Sequence, residues 1–123
     1  MSGIHRNYNL EFYNKVVNGC IDKDVRLIDS NSNNYIDLMY YLVQIQYLDN
    51  IYEVYLPEIN RALAGETVLD SICSGTIDAS LDQVNTTLEW NGVLTVIPTN
   101  DFKSILLEYA EFLQQPPLNG TRT

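Results

Sequence analysis

The sequence predicts an α+β fold: N-terminal helices, a small antiparallel sheet, and a C-terminal amphipathic helix packed on it. Three observations point there. Phe102, Ile105, Leu106, Tyr109, Phe112 and Leu113 recur at helical spacing across residues 100–114. Asn91-Gly92 separates NTTLEW from VLTVIP, a strong hairpin signal. Apolar residues make up 46% of 123 residues, enough for one core and one domain. That domain is expected at 1–115, with 116–123 a flexible tail, because Pro116-Pro117 stops any helix and a polar run follows.

In chain order, residues 1–8 read as a loose start. In NLEFYNKVVNG (9–19), Leu10, Tyr13, Val16 and Val17 fall on one helical face, with Gly19 past the end, so a short amphipathic helix is expected. VRLID (25–29) reads as a short strand. DSNSNN (29–34) is a loop of turn formers, and Asn33 or Asn34 suits an N-cap. YIDLMYYLVQIQYL (35–48) is buried whatever its form. Length and the cap favour a helix, while the V-Q-I-Q-Y alternation and the tyrosines favour a strand. In 50–64, Tyr52, Leu56, Ile59 and Leu63 form a helical stripe that Gly65 stops. Pro57 must either kink that helix or open a shorter one. Residues 66–98 read as β. TIDASLDQ alternates through Ile77, Ala79 and Leu81, NTTLEW and VLTVIP form the hairpin, and Pro98 ends it. The closing helix takes Thr99 or Asn100 as cap, and Asp101 suits its first turn. Glu108 and Glu111 lie towards its C-terminal end, where the helix dipole disfavours acids.

Charge is lopsided. Sixteen acids face seven bases, for a net charge of −9. Between Leu27 and Phe102 there are eleven acids and one base, Arg61, so that stretch carries −10. Nucleic acid and anionic lipid both require clustered Lys and Arg. No direct nucleic-acid partner and no membrane partner are therefore expected. No apolar run approaches the roughly 18 residues of a membrane span. MSGIHRNYNLEFY lacks the basic start and apolar run of a signal peptide, so a cytoplasmic location is expected. Cys20 and Cys73, far apart and without C-x-x-C spacing, read as buried thiols. An acidic surface can simply keep a domain dissolved. It can also speed encounter with a basic partner.

Chemistry-bearing patterns are sparse. The single histidine, His5, lies in the expected loose start and is poorly placed as a catalytic base. One His and two distant Cys do not make a structural zinc site. Asp22, Asp24 and Asp29 hint at a calcium loop, but the glycine and closing glutamate of an EF-hand are missing. Pairs such as Asp22/Asp24 or Asp78/Asp82 have the residue types for glycoside chemistry, without a second lobe to form a cleft. P-loop, dinucleotide and nucleophile-elbow motifs do not occur. No catalytic residue, cofactor site or metal site is therefore assigned, and a non-enzymatic role is expected.

Two segments carry a family likeness. YLPEINRALAGE (55–66) resembles the L..I..AL.GE segment of small bacterial immunity proteins. VIPTNDFKSILLEYAEFL (96–113) is similar to their C-terminal IP..DF..IL.EW..FL helix, with Tyr109 where Trp is more usual. In length and charge too, the chain resembles immunity proteins of polymorphic toxin and contact-dependent growth inhibition systems. The resemblance implies a cytosolic protein that binds a cognate toxin C-terminal domain one to one. It also implies that the partner is basic, a nuclease whose active site the acidic surface occludes. The matching residues are fold determinants, so no contact residue carries over.

Toxin-binding candidates come instead from charge and position. Asp49 and Glu53 flank a predicted helix start. Asp78 and Asp82 alternate with core-facing residues and should point outward. Glu89 and Trp90 stand beside the Asn91-Gly92 turn, with Trp90 open between core and interface. The competing function is a small acidic secretion chaperone or adaptor, which would dimerise through apolar surface and hold an unfolded partner region. A small carboxylate enzyme is the third reading.

Overall fold

Two Asn-Gly pairs, not one, turn hairpins in this chain. The computed structural model describes residues 3–45, 47–68 and 72–116. A 3-10 turn, Ile4–Tyr8, leads into β1 (Leu10–Val17) and β2 (Cys20–Leu27), which pair antiparallel from Leu10–Leu27 to Val17–Cys20. Asn18 and Gly19 join them with φ of 51° and 81°, the double positive φ of a type I′ turn. The helix expected over 9–19 is thus a strand. Leu10, Phe12 and Asn14 turn inward at period two, while Val16 and Val17 lie exposed at the hairpin tip.

Of the expected loose start, residues 3–8 are held in place, while 1–2 lie outside the described residues. His5 is only 4% exposed and stacks on Phe12 at 4.0 Å. Glu108 accepts the Ile4 and His5 amides at 2.9 and 3.0 Å, and its Oε1 lies 2.6 Å from His5 Nδ1. Burial pushes the Glu108 carboxyl up, but these His5 and Ile4 donors outweigh it and hold the group below its usual value. An acid from the interior of α4 (Thr99–Gln114) therefore caps another segment.

Helix α1 (Ile36–Val43) forms within the ambiguous 35–48 stretch, of which Gln46 lies outside the described residues. Neither Asn33 nor Asn34 caps it. Tyr35 holds the cap position with φ of 64°, and no side chain caps the helix. After α2 (Leu48–Asn50), a π-helical turn (Ile51–Tyr55) hands over to α3 (Leu56–Leu63). Pro57 sits in the first turn of α3, directly after the π turn, and Gly65 follows the end with φ of 84°. Ile51, Tyr55, Leu56, Ile59 and Ala62 are buried, so Leu56 and Ile59 of the expected stripe face the core, whereas Tyr52 is exposed and Leu63 only partly buried.

Strands β3 (Ile72–Ser74), β4 (Ile77–Leu81), β5 (Asn85–Trp90) and β6 (Val93–Pro98) form an antiparallel sheet in sequence order. Its inner face supplies Ile72, Ile77, Ala79, Leu88 and Ile97 to the core. Helices α1 and α4 (Thr99–Gln114) pack on that face. Phe12 reaches from β1 to Tyr109 and Phe112 of α4, at ring separations of 5.3 and 5.5 Å, and so joins the first hairpin to the core. Neither expected cap serves α4. Pro98 holds the cap position, and the Thr99 hydroxyl lies 3.0 Å from that of Thr86 and 2.8 Å from the Asp82 carbonyl, to which it donates. Both cysteines are exposed rather than buried, because Cys20 lies at the hairpin tip and Cys73 on the outer sheet face. The expected flexible tail falls almost wholly on 117–123, and part of the 66–98 β reading on 69–71, both outside the described residues.

Candidate protein-docking surface

Strand alternation sends β4 and β5 acids outward. Asp78 stands directly opposite Glu89 in the register, and both are exposed. Like charges facing across a ladder are destabilising. The basic residues of the first hairpin are engaged elsewhere. Arg26 pairs with Glu11 at 2.5 Å, Lys15 with Asp24 at 2.6 Å, and Lys23 donates to the Phe112 carbonyl at 2.9 Å. Within the −10 stretch, Arg61 approaches Glu58 at 3.8 Å. Among the described residues, no ion pair neutralises Asp78 or Glu89.

The other candidates separate into different roles. Asp49 and Glu53 are exposed on α2 and the π turn, beside exposed Tyr47, Tyr52 and Val54. Asp82 is exposed, but its Oδ1 accepts the Val84 and Asn85 amides at 2.8 and 2.7 Å. The Asn85 and Val84 amides hold its carboxyl below the usual value, so Asp82 shapes the β4–β5 turn. Trp90 points to the face opposite Glu89 and packs half-buried against Tyr40, ring centroids 5.0 Å apart. Asp78 and Glu89 are thus brought together, while Asp82 is committed to a turn and Trp90 lies on the opposite sheet face.

Trp90 also walls a groove of about 630 Å³ that lies between β6 and residues 33–37. Three of its features went unnoticed in the sequence. Tyr35 has left-handed backbone, a strained state for a bulky residue that costs about 1 kcal/mol or more. Asp37, only 3% exposed, accepts the Leu38 amide at 2.9 Å and the Thr95 hydroxyl, and has no ion pair among the described residues. Leu94 and Val96 of β6 are 63% and 55% exposed. The available signal for the last was VLTVIP itself, a strand without a single charge.

The described residues contain no group of three or more His, Cys, Asp or Glu arranged to hold a metal ion. No described helix is long and apolar enough to cross a membrane. No protein-family model, curated protein or solved structure matches the chain.

Proposed function

We propose that this chain is an immunity-type inhibitor. It is a non-enzymatic cytoplasmic protein that binds a cognate antibacterial toxin domain one to one and covers that domain's basic active site. The observation that carries this reading is the Asp78–Glu89 pair, two acids held face to face on the solvent side of the sheet without a counter-ion among the described residues. A basic partner relieves that repulsion on binding. A nuclease cleft built for phosphates is such a partner, since carboxylates can stand where phosphates would lie. The −10 stretch adds long-range attraction, which raises association rates towards about 10⁸–10⁹ M⁻¹s⁻¹ at low salt.

The test is capture of the toxin C-terminal domain encoded by the neighbouring upstream gene, followed by rescue from its toxicity. One-to-one binding with loss of toxicity is expected. The pair D78K and E89K should slow association and weaken rescue. Unchanged rescue by that double variant removes the acidic pair from the mechanism, and absence of any binding refutes the pairing. The apolar β6 edge, uncovered among the described residues, favours a second reading, a small acidic secretion chaperone or adaptor that holds an extended partner segment. A constitutive dimer that retains an unfolded client without blocking an enzyme would select it.

A further inference from the structure

The two edges of the four-stranded sheet are finished differently. At β3, the two-residue Gly75-Thr76 turn leaves Cys73 aiming its carbonyl away from β4, and the Tyr55 hydroxyl donates to it at 3.0 Å. A tyrosine of the π turn thereby occupies that edge. At β6 nothing comparable occurs among the described residues. The two-residue Asn91-Gly92 hairpin makes Trp90 and Val93 a hydrogen-bonded pair, so Leu94 and Val96 aim their N–H and C=O away from β5. Among the described residues, no backbone hydrogen bond from another element meets them. Proteins usually protect such an edge with charges, bulges or a cover. Here the strand is VLTVIP, and its only such device is Pro98 at the far end.

We propose that the outer edge of β6 is a strand-docking site: an extended segment of a basic partner protein pairs with Leu94 and Val96 as a fifth strand and lays apolar side chains into the groove walled by Tyr35 and Trp90. Charge selects this occupant. Asp37 lines the groove, and no Lys or Arg does. Glu89 stands opposite Leu94, one strand in from the edge. A docked strand would lie two strand spacings, about 10 Å, from β5. That is within the combined reach of a lysine and a glutamate side chain, with the lysine stem lying over Leu94 and Val96. A second copy of this chain is the wrong occupant by the same criterion, since each copy carries −9. The strained Tyr35 backbone in the opposite wall marks the groove as a place where local stability has been given up. The inference rests on the proposed role only in taking the partner to be basic.

The probe is an alternating Lys-Val heptapeptide, titrated into the full-length ¹⁵N-labelled chain, with the Glu-Val peptide as control. Saturable shifts and slowed amide exchange centred on Leu94 and Val96 are expected with the Lys peptide alone. V96P deletes an outward donor without touching the β5–β6 ladder and should weaken binding about tenfold. L94K keeps every backbone donor and should weaken binding by repulsion, which covers the case in which V96P fails to fold. Four results overturn the proposal. They are equal binding of the Glu peptide, shifts centred on Tyr47–Val54, no saturation by about 1 mM, or a concentration-dependent dimer lost in V96P. If toxin capture survives V96P yet fails in D78K with E89K, the strand-docking inference falls and the inhibitor reading stands.

Discussion

Replacing Glu89 by lysine turns a repulsive cross-strand pair into an attractive one without touching the core. Glu89 and Asp78 are register partners on the outer sheet face, so their Cβ atoms lie about 5 Å apart. Two unit charges at that separation interact by about 0.8 kcal/mol in water. Physiological salt, with a Debye length of about 8 Å, roughly halves this. Reversing one sign therefore shifts stability by about twice the screened value, or roughly 0.5–1 kcal/mol in favour of E89K. Lysine and glutamate are similarly poor strand formers, so propensity adds little. Urea unfolding of the single variants and of D78K with E89K is the assay. E89K should gain stability, and the double variant should lose that gain because two lysines again face each other. The gain should shrink in about 1 M salt, where the Debye length is near 3 Å. If E89K is less stable than the parent, or its gain persists in high salt and in a D78N background, the repulsion argument is wrong. Toxin binding should fall in E89K even as stability rises, a combination that a purely structural role for Glu89 does not produce.

The Glu108 clamp yields a second expectation: E108Q should lose about 1–2 kcal/mol, because the His5 and Ile4 donors keep a weaker acceptor. Glu108 is held below its unfolded value, so its contribution is complete above about pH 4.3 and fades as pH falls through the lower folded value; urea melts should show a flatter acid limb in E108Q. Gly75 has φ of 60°, and a Cβ there would lie 1.1 Å from Gln44 Oε1, which accepts the Thr76 amide at 3.3 Å. G75A should thus cost about 1 kcal/mol more than G19A, whose Cβ meets nothing and which bears only the left-handed penalty. Burial, then the nearby Asp24 charge, pushes the Tyr109 hydroxyl up to about 12. The unfolded phenol ionises first, near pH 10, so stability should decline as pH climbs from about 10 towards 12, and Y109F should abolish that part of the decline.

Much of the local structure was legible. The helical period of 100–114, the Gly65 stop and the Asn91-Gly92 turn each act within a few residues, and each element formed where expected. At Asn18-Gly19 the glycine reads as a helix stop, because Leu10, Tyr13, Val16 and Val17 also fit a helical face. Partnership with Cys20–Leu27 decided the matter. His5 carried no local clue to its burial. Its environment comes from Phe12 and from Glu108, over a hundred positions away. At the candidate surface, alternation was enough to turn Asp78 and Glu89 outward. Their juxtaposition needed the β4–β5 register, and the groove needed the 33–37 segment to lie alongside β6.

By itself, the sequence determined charge, the φ-demanding turns and the strongest helix, because these depend on side-chain identity and spacing over short range. Tertiary structure alone decided which edge of the sheet is covered and which is bare among the described residues. It also decided that a helix acid caps a distant turn, and that two acids face each other with no cation paired to them among the described residues. Those outcomes depend on which distant surfaces close on one another. That choice is governed by burial of the whole core against chain entropy, not by any single segment's preference.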